Sequence, residues 1–492
     1  MFNFKSFLIS FFIFTPFLLA QDKSPNVIII LCDDLGYGDV EGFAFNEVKA
    51  KTPNLKKMAD EGAKLSHFLV TTPYCSPSRS SLLTGRYPFR TGVVYNPAPD
   101  QGIDEGMSQN EFTLGELFKQ KNYDTYYVGK WHLGHKMEYL PTKQGFDEYF
   151  GILYSNDMRP VQIVHNEKVV EYPVVQALLT EKYTDKSLEY IKSSVKKESP
   201  FFLLLSHPMP HRPLAASEKF YTPETPDDLY QDVIRELDFN IGRLMDGLKD
   251  LKVDQNTLVM FLSDNGANHG GNTGGLRGRK SVTFEGGLRV PFIAHWPGKI
   301  PAGITNKSMA SIMDFMPTLA NIIGAKIPQD TKIDGKDMLA LLQSAESKSK
   351  HDFLISMKRD KIMAVHTGKW KLHVEKPGFY KVPTEANTQS RINRFPDGTT
   401  IIAPKEQPDS YAFPGLTTGD RSNSPMLFDV ENDPGEQKNL SKEFPEKVKL
   451  LDSYYSQIMR EVKPLKIPKA KGYTRHPGGR IDYWNIKLPK IK

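Results

Sequence analysis

Cysteine is nearly absent: Cys32 and Cys75 are the only two in 492 residues, too few for a disulfide framework. The net charge of +6, from 64 basic and 58 acidic residues, lacks the one-sided excess that marks a nucleic-acid binder. Beyond the first 20 residues no apolar run is long enough to span a bilayer. No internal repeat is visible, and no Cys/His cluster has zinc spacing. The composition, 39% hydrophobic and 25% charged, excludes a disordered or collagen-like chain. The length fits two or three domains, or one large α/β domain with a smaller companion.

The start of the chain reads as an address. Lys5 is its only charge, and Phe7 to Leu19 is apolar apart from Ser10, Thr15 and Pro16. Ala20 then precedes the polar Gln21-Asp22-Lys23. This pattern predicts a signal peptide over residues 1–20, cleaved after about Ala20. The apolar run is shorter than the roughly 20 residues of a spanning helix, and no cysteine stands at the cleavage point. A periplasmic or secreted protein without a stable membrane anchor is expected.

Four strands are predicted, each ending in polar residues. Asn26–Leu31 runs into Cys32-Asp33-Asp34, and Tyr123–Val128 into Gly129-Lys130-Trp131-His132. Phe201–Leu205 runs into Ser206-His207-Pro-Met-Pro-His211, and Asn256–Leu262 into Ser263-Asp264-Asn265. Continuous apolar runs suit strands buried on both faces of a parallel sheet. Helical patterns at Pro53–Glu61, Thr113–Lys121, Thr184–Val195 and Leu229–Leu248 separate them. The alternation predicts an α/β fold with a large, mixed, mostly parallel sheet and helices on both faces. Ligands bind beyond the carboxyl ends of such strands, which is where the polar clusters fall.

From about residue 351 the runs become short and alternating: Phe353–Met357, Met363–His366, Trp370–Glu375 and Met426–Val430. Phe444–Val462 reads as one amphipathic helix. A smaller C-terminal antiparallel sheet with a covering helix is expected. The division is 21–350 for the catalytic domain, 351–462 for the C-terminal subdomain and 463–492 for a basic, aromatic tail. Residues 376–425 are expected to be long loops, and with 152–184 to govern specificity.

Asp33, Asp34, Asp264 and Asn265 offer hard oxygen ligands, suited to Ca²⁺ or Mg²⁺ and not to zinc. Either pair alone would equally suit a polar turn; two pairs at the ends of buried strands favour a metal. In Cys75-Ser-Pro-Ser-Arg79-Ser-Ser-Leu-Leu-Thr-Gly85-Arg86, Pro77 fits the first turn of a helix over 76–83. Cys75 then sits at its positive end, where anions bind. A lone cysteine is more often a small buried hydrophobe.

Cys-x-Pro-x-Arg followed by Leu-Thr-Gly-Arg resembles the signature of type I sulfatases, within the alkaline phosphatase superfamily. The resemblance continues through Asn26–Gly38, Gly129–Gly134, His207–Pro213, Asp264–Gly266, Lys280–Phe292 and Phe428–Glu436. It implies an alkaline phosphatase-like fold and conversion of Cys75 to Cα-formylglycine (3-oxoalanine) by a formylglycine-generating or sulfatase-maturating enzyme. It further implies that Asp33, Asp34, Asp264, Asn265 and residue 75 hold a divalent cation, usually calcium. Arg79 would fix the formylglycine, Lys130 and Lys280 would hold sulfate oxygens, and His132 would sit beside the nucleophile. His211 would lie near the leaving-group oxygen, and Ser155 matches a serine near the nucleophile.

The chemistry has its own logic. A sulfate monoester carries charge on three terminal oxygens, and its cleavage needs that charge held, an in-line nucleophile and a proton for the departing alcohol. A sulfated thiol would be hard to release, whereas a hydrated aldehyde has two hydroxyls. One attacks sulfur; the other, deprotonated by His132, expels sulfate. An imidazole at 211 suits the general acid.

Other readings are set aside. Gly274–Ser281 resembles a P-loop, but Arg279 stands where glycine must precede the lysine. His207 is expected to be structural, Cys32 to pack in its strand, and Asp314 to cap a helix. The tail from 463 carries nine Lys or Arg, one Asp, and Tyr473, Tyr483 and Trp484. A solvated arm is the plain reading; contact with a polysulfated glycan is the sharper one. The expected function is a secreted, calcium-dependent sulfatase on sulfated carbohydrate: ulvan, carrageenan or fucoidan, or alternatively a glycosaminoglycan. Its rivals are a phosphomonoester or phosphonate hydrolase and a non-catalytic sulfated-glycan-binding protein.

Overall fold

Asn26–Cys32 forms β1, with all seven residues buried. Its side chains alternate between the two faces of a sheet. Val27, Ile29 and Leu31 join one hydrophobic cluster, and Ile28, Ile30 and Cys32 join the other. A strand buried on both faces needs helices on both sides. On one side stand Leu82 and Leu83 of the helix Cys75–Thr84, Phe118 of Leu114–Lys119 and Leu319 of Phe315–Ile323. On the other stand Leu55 of Pro53–Asp60, Ile191 of Leu179–Lys197 and Leu237 and Leu244 of Leu229–Asp250.

The structure is a computed structural model that describes residues 24–45, 51–98, 102–158, 161–221, 229–268, 270–378, 419–420, 425–465 and 467–468. The expected signal peptide, most of the 376–425 stretch and nearly all of the basic tail lie outside these residues. Among the described residues no helix is long and apolar enough to cross a membrane.

The further strands are β2 (Ala63–Leu65), β3 (Phe68–Leu69), β4 (Asp124–Gly129), β5 (Glu148–Gly151), β6 (Ile163–His165), β7 (Lys168–Glu171) and β8 (Phe201–Ser206). They continue as β9 (Thr257–Ser263), β10 (Phe292–His295), β11 (Ile304–Asn306), β12 (Ala310–Ser311), β13 (Leu354–Lys358), β14 (Lys361–His366), β15 (Trp370–His373) and β16 (Met426–Asp429). Ten lie in one sheet, ordered β11-β2-β10-β9-β1-β8-β4-β5-β6-β7. From β9 to β5 every neighbour is parallel, while β10 runs antiparallel to both its neighbours. The mixed, mostly parallel sheet expected from the sequence is present. Because β9, β1, β8 and β4 are adjacent and parallel, their four polar termini meet at one edge.

β13 to β16 form a second, antiparallel sheet. The helix Pro445–Met459 covers it, burying Leu451 and Ile458 and stacking Tyr454 on Phe353 at 4.7 Å. A buried ionic network joins this sheet to the loops of the large one. Glu285 accepts from Lys371 of β15 (3.0 Å) and from Arg289 (2.6 Å), and Lys371 also meets Glu436 (3.1 Å). His373 Nε2 lies 2.8 Å from the same Glu436 carboxylate.

Burial alone would raise the Glu285 carboxyl, but Lys371 and Arg289 outweigh it and hold it well below its ordinary 4.5. A depressed carboxylate contributes stability that is present above its unfolded value and lost as pH falls through its folded one. Glu285→Gln is therefore expected to cost about 3 kcal/mol at neutral pH, since it leaves Lys371 and Arg289 under-compensated. It should also flatten the fall of melting temperature below pH 4.5. Thermal unfolding across the acid range checks both effects; an unchanged acid limb would contradict them.

One reading of a single residue is corrected. Asp314 does not cap the helix Phe315–Ile323 with its side chain. Its carboxylate instead accepts the backbone N–H groups of Ser311 and Lys336, both at 2.8 Å, and meets His351 Nε2 at 2.7 Å. Ser311 supplies the capping oxygen, to Met313 N–H. The Ser311 bond closes a capping box over the turn Ile312–Asp314 that leads into this helix, so the aspartate serves the helix start from within its first turn and not from the cap position.

Candidate active site

The nucleophile candidate is placed by its helix. Tyr74 is extended, Cys75 takes the first helical position, and Gly85 ends the helix at φ 68°. All ten residues of Cys75–Thr84 are buried, although the stretch is rich in hydroxyls. Those hydroxyls bond locally: Ser80 to Pro77 O (2.8 Å), Thr84 to Ser80 O (2.7 Å), and Ser81 with Thr71 (2.9 Å). Three of the helix's five hydroxyls are thus bonded, while Ser76 Oγ and Ser78 Oγ are buried without a hydrogen-bond partner.

Cys75 Sγ lies 3.4 Å from Asp33 Oδ1 and 3.3 Å from Lys280 Nζ. One turn on, Arg79 grips Asp264 Oδ2 through Nε (2.9 Å) and Nη2 (2.8 Å). Its Nη1 donates to Lys130 O (2.9 Å) and Ser206 Oγ (2.6 Å). Arg79 therefore binds the ends of β9, β4 and β8 to the nucleophile helix. Lys130 Nζ pairs with Asp33 and donates to Ser155 Oγ at 3.1 Å. Lys280 pairs with Asp34 Oδ1 at 2.7 Å.

Lys130 is set by the glycine before it. Gly129 has φ +111°, and a Cβ there would meet Ser206 O at 1.9 Å. Only glycine lets β4 approach β8 so closely that Lys130 N–H reaches the Ser206 carbonyl (2.8 Å). Asp34, His132 and Ser281 also have positive φ, at 65°, 58° and 78°. Non-glycine residues in that region mark backbone held against its preference, often at functional loops.

Three buried carboxylates, Asp33, Asp34 and Asp264, thus face Arg79, Lys130 and Lys280. Burial would raise Asp33, but Lys130, His211, Arg79 and Lys280 hold it well below the usual range. Asp34 is likewise lowered, as Lys280 and His211 overcome burial. Burial and the Asp33 charge raise Asp264 to about 6 against the pull of Arg79. The Cys75 thiol is pushed well up by burial and by Asp33, so the unmodified side chain is a protonated, weak nucleophile.

Donor atoms of Asp33, Asp34, Cys75 and His211 all lie within 4.8 Å of one another. Asp264 stands beside this group with Oδ2 turned to Arg79 and Oδ1 accepting Asp34 N–H at 3.3 Å. Asn265 donates to Asp34 Oδ1 at 2.7 Å, while its own Oδ1 is buried without a hydrogen-bond partner. The donor set fits a hard divalent cation on two counts. The oxygens are those such an ion prefers, and the orphaned amide oxygen lacks any other use. Charge points the same way: three acids against three bases sum to zero, so an incoming sulfate anion needs further positive charge.

His211 is held at Nδ1 and turns Nε2 toward Asp34 Oδ2, 3.6 Å away. His132 is buried with neither ring nitrogen hydrogen-bonded. Burial, Lys130 and Arg79 keep it neutral, the state of a base. His207 is buried and held near 3 by burial. Gly274–Ser281 is loop, and the next helix, the single turn Glu285–Leu288, starts five residues after Lys280.

Several residues escaped the sequence reading. Asn156 holds His211 (3.1 Å), Asn268 Nδ2 donates to Asp34 Oδ2 (2.9 Å), and Ser206 joins Arg79 to Lys130. The only available signal was adjacency: Asn156 follows Ser155, and Asn268 stands three residues after Asn265.

The family described as Sulfatase matches residues 25–325, and the C-terminal region of aryl-sulfatase matches residues 349–477. N-acetylgalactosamine-6-sulfatase of Canis lupus familiaris is 34% identical over 474 residues, covering 90% of this chain and 85% of the relative. Arylsulfatase A of Bos taurus is 32% identical, covering 92% and 89%. The solved structure of Ps i-CgsB in complex with k-i-k-neocarrahexaose has a TM-score of 0.71 and 27% identity, covering 90% of this chain and 94% of that one. Matching domains at both ends of the chain, on a fold whose strand termini gather acids, cations and a buried cysteine, make this protein a type I sulfatase of the alkaline phosphatase superfamily, a sulfuric ester hydrolase.

Proposed function

We propose that the protein hydrolyses sulfate monoesters on a sulfated polysaccharide or its oligosaccharides. The observation that carries this is the buried Cys75, set between Asp33 and Lys280 at the head of a helix. A marine glycan such as carrageenan, ulvan or fucoidan is the favoured substrate, with a glycosaminoglycan as the alternative. The similar proteins support a sulfated carbohydrate in general: one relative is an N-acetylgalactosamine-6-sulfatase, and one similar structure is in complex with k-i-k-neocarrahexaose.

In this reading Cys75 is converted to formylglycine by a maturating enzyme. Its hydrate supplies two hydroxyls on one carbon, one to attack sulfur and one whose deprotonation expels sulfate. Asp33, Asp34, Asp264 and Asn265 hold a cation, calcium before magnesium, that supplies fixed positive charge. Arg79 orients residue 75 and Asp264 together. Lys130 and Lys280 hold the sulfate oxygens, and Ser155, bonded to Lys130 Nζ, lies against the same oxygens. His132, neutral and unbonded, takes the hydroxyl proton. His211 gives a proton to the departing sugar oxygen. The chain divides into a signal peptide at 1–20, a catalytic domain at 21–350, a C-terminal subdomain at 351–462 and a basic tail from 463. It works in the periplasm or outside the cell.

Matched sulfate and phosphate esters of one sugar test the reaction, and a panel of defined sulfated oligosaccharides tests the substrate. Sulfate release from a marine or glycosaminoglycan oligosaccharide, well above phosphate release, is expected. A preference for the phosphate ester would contradict the reading.

A further inference from the structure

His211 is buried, and its Nδ1 meets two oxygens: Asn156 Oδ1 at 3.1 Å and Arg212 O at 2.6 Å. Ser155 Oγ is farther, at 3.4 Å. The orientation of the Asn156 amide follows from its other contacts. Its nitrogen faces three acceptors, His211 O (3.2 Å), Pro213 O (3.4 Å) and Gln176 Oε1 (3.3 Å). An amide nitrogen only donates, so Asn156 must present its oxygen to His211. Gln176 locks the arrangement by donating from Nε2 to Asn156 O at 2.8 Å. Asn156 and Gln176 are both essentially inaccessible to solvent.

Two oxygens at Nδ1 require the ring to carry a hydrogen there, so the second hydrogen, which the imidazolium adds, is the one on Nε2. The other nitrogen, Nε2, is then the one that faces the site.

We propose that Asn156, backed by Gln176, is a positioning residue for sulfate ester cleavage: it fixes the ring plane of His211 and the hydrogen on its Nδ1, so that Nε2 is the proton-donating atom. The proposal rests on His211 being the leaving-group acid. As the S–O bond breaks, its electron pair stays on the sugar oxygen, which takes the Nε2 proton of the imidazolium and leaves as a neutral alcohol. The imidazole that remains is the Nδ1–H tautomer, the one Asn156 and the Arg212 carbonyl stabilise. Without Asn156 the Arg212 carbonyl alone holds Nδ1, and the ring plane loses its second anchor.

A leaving group that needs no proton separates this role from a merely structural one. The full-length, matured enzyme is assayed on a sulfated sugar and on nitrophenyl sulfate, whose phenolate departs unassisted. Asn156→Leu is expected to lower kcat on the sugar by about 10- to 100-fold, the usual cost of losing a group that orients a reactive one. Its KM should change little, and the fall on nitrophenyl sulfate should be at least several-fold smaller. Gln176→Leu, which leaves the direct contact in place, should show the same split in weaker form and decides the matter if Asn156→Leu fails to fold. Equal losses on both esters, or no loss on either, would overturn the proposal. His211→Ala is the reference. If it too loses both activities equally, the acid role of His211 falls; if it discriminates and the Asn156 and Gln176 variants do not, only their positioning role falls.

Discussion

Replacing Cys75 with alanine is expected to reduce sulfate ester hydrolysis roughly 10⁴-fold or more, the scale seen when a covalent nucleophile is removed. The reason lies in the division of labour around it. Lys130, Lys280 and Arg79 are organised by carboxylates at fixed positions, so they survive the substitution and still bind the ester. What disappears is the only nucleophile they are built around. KM should therefore change much less than kcat. The fold should persist, because the side chain is small and Arg79 still holds the Cys75–Thr84 helix to β9, β4 and β8. Cys75→Ser separates two explanations, since it supplies a hydroxyl in place of the thiol proposed to become the aldehyde. A serine variant with most of the original rate and an unoxidised side chain at position 75 would contradict the need for modification.

Chelation of divalent cations is expected to have the second-largest effect. A cation that supplies several kcal/mol of charge stabilisation corresponds to a rate loss of about 10³-fold or more when removed. Calcium should restore the rate better than magnesium, because a site with four protein oxygen donors suits the larger ion, whereas magnesium keeps several of its waters. Stability should follow: an ion held at about 100 times its dissociation constant adds roughly 2.7 kcal/mol to the folded state, so the melting temperature should fall with chelator. Asp33→Ala should mimic chelation and resist rescue, since Asp33 also pairs with Lys130 and contacts Arg79. Full activity in excess chelator would contradict the cation assignment.

The strands that build the site were legible because they are buried on both faces. The run Val27–Leu31 is apolar at every position, and the polar residues that end it stand out against it. The same contrast marks Phe201–Ser206 and Thr257–Ser263. β2, β3, β5 and β10 to β12 were not legible. They span two to four residues, too few for any periodicity to register. The antiparallel pairing of β10 with β9 depends on tertiary contact alone.

The site divides in the same way. The two acidic pairs were readable as hard oxygen ligands at strand ends, whereas the roles of Cys75 and Arg79 came from the resemblance that their motif carries. Asn156 and Gln176 were not, because their roles depend on a contact between segments 55 and 20 residues apart. Asp314 was misplaced by one turn: it closes a capping box with Ser311, three residues before it, while Lys336 and His351 from distant segments engage its other oxygen. His132 was placed by its motif, but its neutrality comes first from burial and then from Lys130 and Arg79, all of which act only after folding.

Mass spectrometry of the peptide bearing position 75, taken from preparations whose specific activity is known, tests the central claim most directly. The mass is predicted to match an aldehyde in place of the thiol, in a fraction that rises in proportion to activity. Fully active protein carrying only the unaltered thiol at position 75 would contradict it.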